Sequence, residues 1–115
     1  MKSQYKKTIR SLRALLVEAK NDEMDDESNV WRSVMIDADD EIQIAGTIDY
    51  LKDKDIKRHY HSSVGVLAEM MGAAEADGKD EDGSPWIKIM ETAQEVLDAF
   101  DGIKRPQAEM SRPRA

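Results

Sequence analysis

The chain has 115 residues, 40% of them hydrophobic and 36% charged, with one Phe, three Tyr, two Trp and a net charge of −7. This length suits one domain with a modest core, and so few aromatics leave aliphatic and Met side chains to fill it, which favours helices over a β-sandwich. The lack of cysteine excludes a disulfide framework, a thiolate zinc site and a cysteine nucleophile, and fits a reducing compartment.

No apolar run nears the ~20 residues that span a bilayer, and charges run through the opening stretch where a secretory core would lie. A soluble cytoplasmic protein with no membrane partner is therefore expected. Charge is unevenly placed: residues 1–20 carry a net +5, residues 21–103 a net −15, and residues 104–115 a net +3. Exposed charges farther apart than about 8 Å are largely screened at physiological salt, so the clusters count for more than the total.

Tyr5, Ile9, Leu12 and Leu16, with Leu15 and Ala19 beside them, predict an amphipathic helix over about 3–20, with Lys6, Arg10 and Arg13 on its other side. The acidic stretch 21–29 predicts a loop ending at an N-cap such as Ser28. The segment 30–54 admits two readings. As helix, Trp31, Met35, Ala38, Ile42, Ala45 and Ile48 keep a three-four spacing; as a short β-hairpin at 33–46, Val34 and Ile36 alternate on one strand and Ile42 and Ile44 on the other. Helix is the favoured reading, with a break near Asp37 to Asp40, where Asp40 and Gln43 resemble a capping box.

Ile56, Tyr60, Val64, Leu67, Met71 and Ala74 predict a helix over about 56–76 capped by Asp55. Gly65 and Gly72 inside it each weaken a helix by up to ~1 kcal/mol relative to Ala, which suggests that another backbone packs close there. After a loop, Trp86, Ile89, Met90, Ala93, Val96, Leu97, Phe100 and Ile103 predict a last helix ending near Gly102. The expected fold is all-α, a small bundle of about four helices over 1–103 with a disordered basic tail over 104–115.

No repeat and no GxGxxG, P-loop, GxSxG or HExxH signature is evident. The strongest chemical signal is the stretch DEDGSPWIKIME, residues 80–91. Placing Asp80, Asp82, Ser84, Trp86, Ile87 and Glu91 at positions 1, 3, 5, 7, 8 and 12 resembles the loop of the EF-hand family. That loop needs a Gly at position 6, where this chain has Pro85 with φ held near −65°, and Lys88 stands at position 9 in place of an oxygen donor. The same residues describe a helix entrance: Ser84 as N-cap, Pro85 as first residue, acids before the positive helix end.

His59 and His61 are two residues apart, point about 200° apart on a helix and cannot share a metal there. Acid pairs such as Glu91 with Glu95 or Asp37 with Glu41 lack any sign of a dry cleft that would divide their pKa values. No catalytic residue, metal site or cofactor is assigned, and the chain is expected not to be an enzyme. The candidate partner-binding residues are the acidic clusters: Asp22, Glu23, Asp25, Asp26 and Glu27; Asp37, Asp39, Asp40 and Glu41; Asp77, Asp80, Glu81 and Asp82. They suit docking on a protein with a basic surface, such as a nucleic-acid-handling enzyme whose phosphate groove an acidic protein could occupy.

In size and acidity, though through no shared motif, the chain resembles small phage antirestriction proteins and bacteriocin immunity proteins. The resemblance implies an inhibitor or adaptor without catalysis. The alternative is a small nucleic-acid-binding regulator using Lys6, Arg10 and Arg13 on the first helix, which is also available for self-association. A degenerate calcium module is the third option.

Overall fold

The computed structural model describes residues 1–24, 29–81 and 84–111, the side chains of residue 29 and of residues 101–111 excepted. Four helices follow in order: α1 (Lys2–Asn21), α2 (Asn29–Ala45), α3 (Asp53–Ala76) and α4 (Trp86–Ser111), with a 3-10 turn at Ile48–Tyr50 after α2. Among the described residues there is no strand, and no helix is long and apolar enough to cross a membrane. The fold is the small all-α bundle that the apolar spacing predicts.

The predicted stripe of α1 is its buried face: Tyr5, Leu12, Leu15 and Ala19 are fully buried, with Ile9 and Leu16 nearly so. The part of that segment where a hairpin was the other reading is helical, α2 running without interruption to Ala45 before the 3-10 turn at Ile48–Tyr50. Val34 is buried and Ile36 is 57% exposed, which an alternating strand with both on one side cannot produce. No break occurs at Asp37 to Asp40. Helical spacing already places Trp31, Val34, Met35 and Ala38 in the core, and Asp39 accepts a hydrogen bond from Gln43 Nε2 at 2.8 Å within the same helix. Ser28, the expected cap of α2, lies outside the described residues.

α3 begins at Asp53, not behind a cap at Asp55: Lys52 is the extended N-cap residue, and Asp53 and Asp55 both sit in the first turn, where negative charge suits the helix dipole. Gly65 and Gly72 do not mark a close backbone approach, since a methyl group at either would meet no atom within 4 Å. The backbone of α4 continues past Gly102 to Ser111. The basic tail expected over 104–115 falls on side chains, and beyond residue 111 on whole residues, outside the described set.

One hydrophobic cluster joins all four helices. α1 and α3 pack against each other at the centre, and α2 and α4 each lie against both of them. This arrangement overturns the expectation that the chain holds no repeat. Shifted by 55 positions, Tyr5, Leu12, Ala19, Asp22, Trp31, Met35 and Ala38 coincide with Tyr60, Leu67, Ala74, Asp77, Trp86, Met90 and Ala93. Thr8 and Ser63, Ile9 and Val64, Leu15 and Met70, and Leu16 and Met71 pair in the same register, and all eight are buried. The hairpin α1–α2 and the hairpin α3–α4 are two versions of one unit, and the second covers the apolar face that the first cannot bury alone.

The two units also end their first helices alike. Asp22 and Asp77 are the C-cap residues of α1 and α3, and the next residue adopts a left-handed conformation in each: Glu23 at φ 54° and Gly78 at φ 72°. At Gly78 the termination is a Schellman motif, with Gly78 N–H donating to the Glu75 carbonyl and Lys79 N–H to that of Ala74, both at 3.0 Å. Only the second unit has the glycine that this conformation favours.

Candidate functional site

The C-terminal ends of α1 and α3 lie at the same end of the bundle, and two tryptophans bind them to the starts of α2 and α4. Trp31, early in α2, donates its indole N–H to Asp77 at the end of α3. Trp86, the first residue of α4, donates its own to Asp22 at the end of α1, at 2.8 Å. Each unit therefore presents a C-cap aspartate to the tryptophan of the other, the reciprocal pattern of two copies related by a two-fold. The two rings meet edge to face, 5.7 Å between centroids.

Lys79 completes the cluster, with Nζ 3.1 Å from Asp22 Oδ2 and 5.4 Å from the centre of the Trp86 ring. The Trp86 hydrogen bond first, and then Lys79, hold the Asp22 carboxyl below the usual aspartate range. Asp22 and Asp77 are thus structural acceptors that tie the units together, rather than free members of a docking patch. Glu23, Asp80 and Glu81 stand exposed around them. Asp25, Asp26, Glu27 and Asp82 lie outside the described residues.

The stretch 80–91 enters a helix. Ser84 Oγ accepts from the Trp86 backbone N–H at 3.1 Å, the N-cap bond that its sequence position suggests. That bond engages the oxygen that a calcium loop would place on the ion. Among the described residues no three His, Asp or Glu side chains come together as a metal site.

The cluster 37–41 is divided by its helix. Asp37 and Asp40 are exposed, Asp39 is half-buried, and Glu41 turns inward. Glu41 accepts from Ser62 Oγ at 2.6 Å and Ser63 Oγ at 3.0 Å, joining α2 to α3. It is therefore corrected from a candidate docking residue to a buried acceptor, because the face of α2 that carries Val34 and Ala38 also carries position 41. The Tyr5 hydroxyl shares this polar pocket. Its own burial, and then the charge of Glu41, push its pKa up, with Ser63 opposing them.

Lys6, Arg10 and Arg13 are exposed along α1. They edge a groove of about 250 Å³ floored by Tyr5, Ile9, Ala45 and Ile48. At the equivalent place in the second unit, Phe100 packs edge to face on Tyr60 at 5.3 Å and fills the space that Ala45 leaves open. A larger groove, about 480 Å³, runs between α1 and α4, with Lys7, Arg10 and Lys88 on its rim.

Sequence reasoning missed the tryptophan–aspartate exchange. Its signal was the nine-residue spacing from Asp22 to Trp31, repeated from Asp77 to Trp86. No protein-family model, no curated protein and no solved structure matches this chain.

Proposed function

We propose that the protein is a noncatalytic inhibitor or adaptor that docks its acidic end on a basic surface of another protein, with a nucleic-acid-handling enzyme the best-suited class. The observation that carries this reading is the meeting of the C-terminal ends of α1 and α3 at one end of the bundle, fastened by Trp31–Asp77 and Trp86–Asp22 while Glu23, Asp80 and Glu81 stay exposed. A patch of net negative charge steers encounter with an oppositely charged surface and suppresses wrong partners. The absence of cysteine suits a cytoplasmic setting.

The test is binding to a set of basic nucleases and polymerases by surface plasmon resonance, at low and high salt and with DNA as competitor. Wild type is expected to bind at least one, to lose it with salt and to be displaced by DNA, while the charge reversal Glu23→Lys, Asp80→Lys, Glu81→Lys abolishes binding with its circular dichroism unchanged. Equal binding by the reversed variant overturns the proposal. A second reading, direct nucleic-acid binding, draws on the exposure of Lys6, Arg10 and Arg13 along one face of α1. Retention of DNA by the protein alone, lost in Arg10→Ala and Arg13→Ala, would support it.

A further inference from the structure

The duplication gives the molecule two equivalent seams, α1 against α4 and α3 against α2, that can be compared residue by residue. At the first, Lys7, Arg10 and Lys88 rim a floor of half-buried Ala14, Ile89 and Val96, with Glu95 beside them. At the second, the positions 55 residues away from the three cations hold Ser62, Gly65 and Ser33, all neutral. Where the first seam has Ala14 and Thr92, the second has Glu69 and Asp37, and Asp40 stands opposite Glu95 in the register. Lys7, Arg10 and Lys88 are exposed, as are Asp37, Asp40 and Glu69. One scaffold thus carries three cations and one acid on one side and three acids with no cation at the matching stations of the other.

We propose that the chain associates with itself head to tail, the cation-rimmed α1/α4 groove of one copy receiving the acidic α2/α3 face of the next. Two like seams repel, so a symmetric pairing through either one is disfavoured, while the unlike pair attracts. The acidic face also offers apolar surface to the contact: it carries a groove of about 660 Å³ of its own, and Val30, which lines it with Ser33 and Glu69, is 66% exposed. Because donor and acceptor faces are different surfaces of one molecule, the contact is heterologous and leaves both outer faces of a dimer open to further copies. The overall charge of −7 works against assembly, so the association depends on concentration and weakens as salt screens the facing charges.

Sedimentation velocity of the full chain tests this. The weight-average mass of wild type is expected to rise with concentration at low salt and to return to that of a monomer in about 0.5 M salt, where charges beyond a few ångströms no longer interact. Lys7→Glu, Arg10→Glu, Lys88→Glu makes both seams acidic, and Asp37→Lys, Asp40→Lys, Glu69→Lys makes both basic; each variant alone is expected to stay monomeric. Their equimolar mixture is expected to assemble again. If a triple variant fails to fold by circular dichroism, Arg10→Glu and Asp40→Lys are mixed in its place, each alone lowering assembly. Wild type that stays monomeric at every concentration, a mixture that stays monomeric, or association that neither reversal weakens overturns the proposal. Residues Glu23, Asp80 and Glu81 take no part in this contact, so its outcome is independent of docking through the acidic end.

Discussion

The two helical hairpins agree inside and disagree outside. Tyr5 and Tyr60, Leu12 and Leu67, Trp31 and Trp86, and Ala38 and Ala93 keep type and burial across the repeat, because each unit is the surface against which the other packs and close-packed interiors punish a change of volume. Surface positions answer to no such partner, and Arg10 can face Gly65, or Lys88 face Ser33, across the same register. Where the interiors differ, they show how one backbone position meets its polar needs in two ways. Thr8 Oγ1 bonds the Gln4 carbonyl of its own helix at 2.9 Å, while Ser63 Oγ, its equivalent, donates to Glu41 on α2 at 3.0 Å.

The largest expected effect breaks the agreement at its centre. Trp86→Ala and Trp31→Ala should each cost about 3–5 kcal/mol, the usual loss for a buried large aromatic, and by similar amounts if the exchange is reciprocal. Trp86→Phe, which keeps a ring but loses the N–H that Asp22 accepts, should cost about 1 kcal/mol from the hydrogen bond, plus a smaller packing loss. Urea denaturation followed by circular dichroism measures all three, and near-neutral alanine variants would refute the structural role given to the indole pair.

Next comes the interior difference. Glu41→Ala leaves the Ser62 and Ser63 hydroxyls without their acceptor, an expected loss of about 1–3 kcal/mol. The pair Glu41→Val with Ser63→Thr copies the Val96 and Thr8 of the equivalent α1/α4 seam. It should recover most of that loss, the threonine hydroxyl turning to the His59 carbonyl four residues back as Thr8 turns to Gln4. Thermal melts of the single and double variants decide the matter, and a double variant as unstable as Glu41→Ala would mean that the two units are not interchangeable there.

Smaller gains should follow from the backbone. Glu23 holds a left-handed φ of 54° where its counterpart is Gly78, so Glu23→Gly should stabilise by about 0.5–1 kcal/mol and Gly78→Ala destabilise by about 1. Gly65→Ala and Gly72→Ala, with open space around each, should each add up to about 1 kcal/mol of helix stability. Midpoints of chemical denaturation are sensitive enough to order these variants.

The smallest effect is the pH response of Asp22. Its pKa is lowered in the fold by the Trp86 hydrogen bond and then by Lys79, so the contribution is present above the unfolded value near 3.9 and is lost as pH falls through the lower folded value. Its side chain is 39% exposed, so solvent screening keeps the effect modest. Asp22→Asn should lower stability at pH 7 and converge on wild type as pH falls through the folded value. A difference that stays constant with pH would show that the carboxylate charge is not the source.

Much of the architecture was legible because helix formation is local. Stripes such as Ile56, Tyr60, Val64 and Leu67 announce a buried face, and Ser84 with Pro85 announces a helix start. The segment 30–54 stays ambiguous in sequence because Val34, Ile36, Ile42 and Ile44 satisfy a period of two as well as of three to four, and the favoured helical reading holds through Ala45 without the expected break. The repeat stayed hidden because its conserved pairs are partly of the kind Thr with Ser or Leu with Met, which preserve volume and polarity without preserving identity.

From residue order alone came the helices, their apolar faces and the uneven placement of charge, all properties that act within a few residues along the chain. Which acids are free came only from the folded arrangement. Asp22 and Asp77 look like Glu23 and Asp80 in the sequence; they differ because tryptophans 64 and 46 residues away arrive to donate to them. Glu41 differs from Asp40 because serines of another helix meet it. A carboxylate's role depends on the donors and solvent around it, and packing supplies those from parts of the chain that local spacing does not connect.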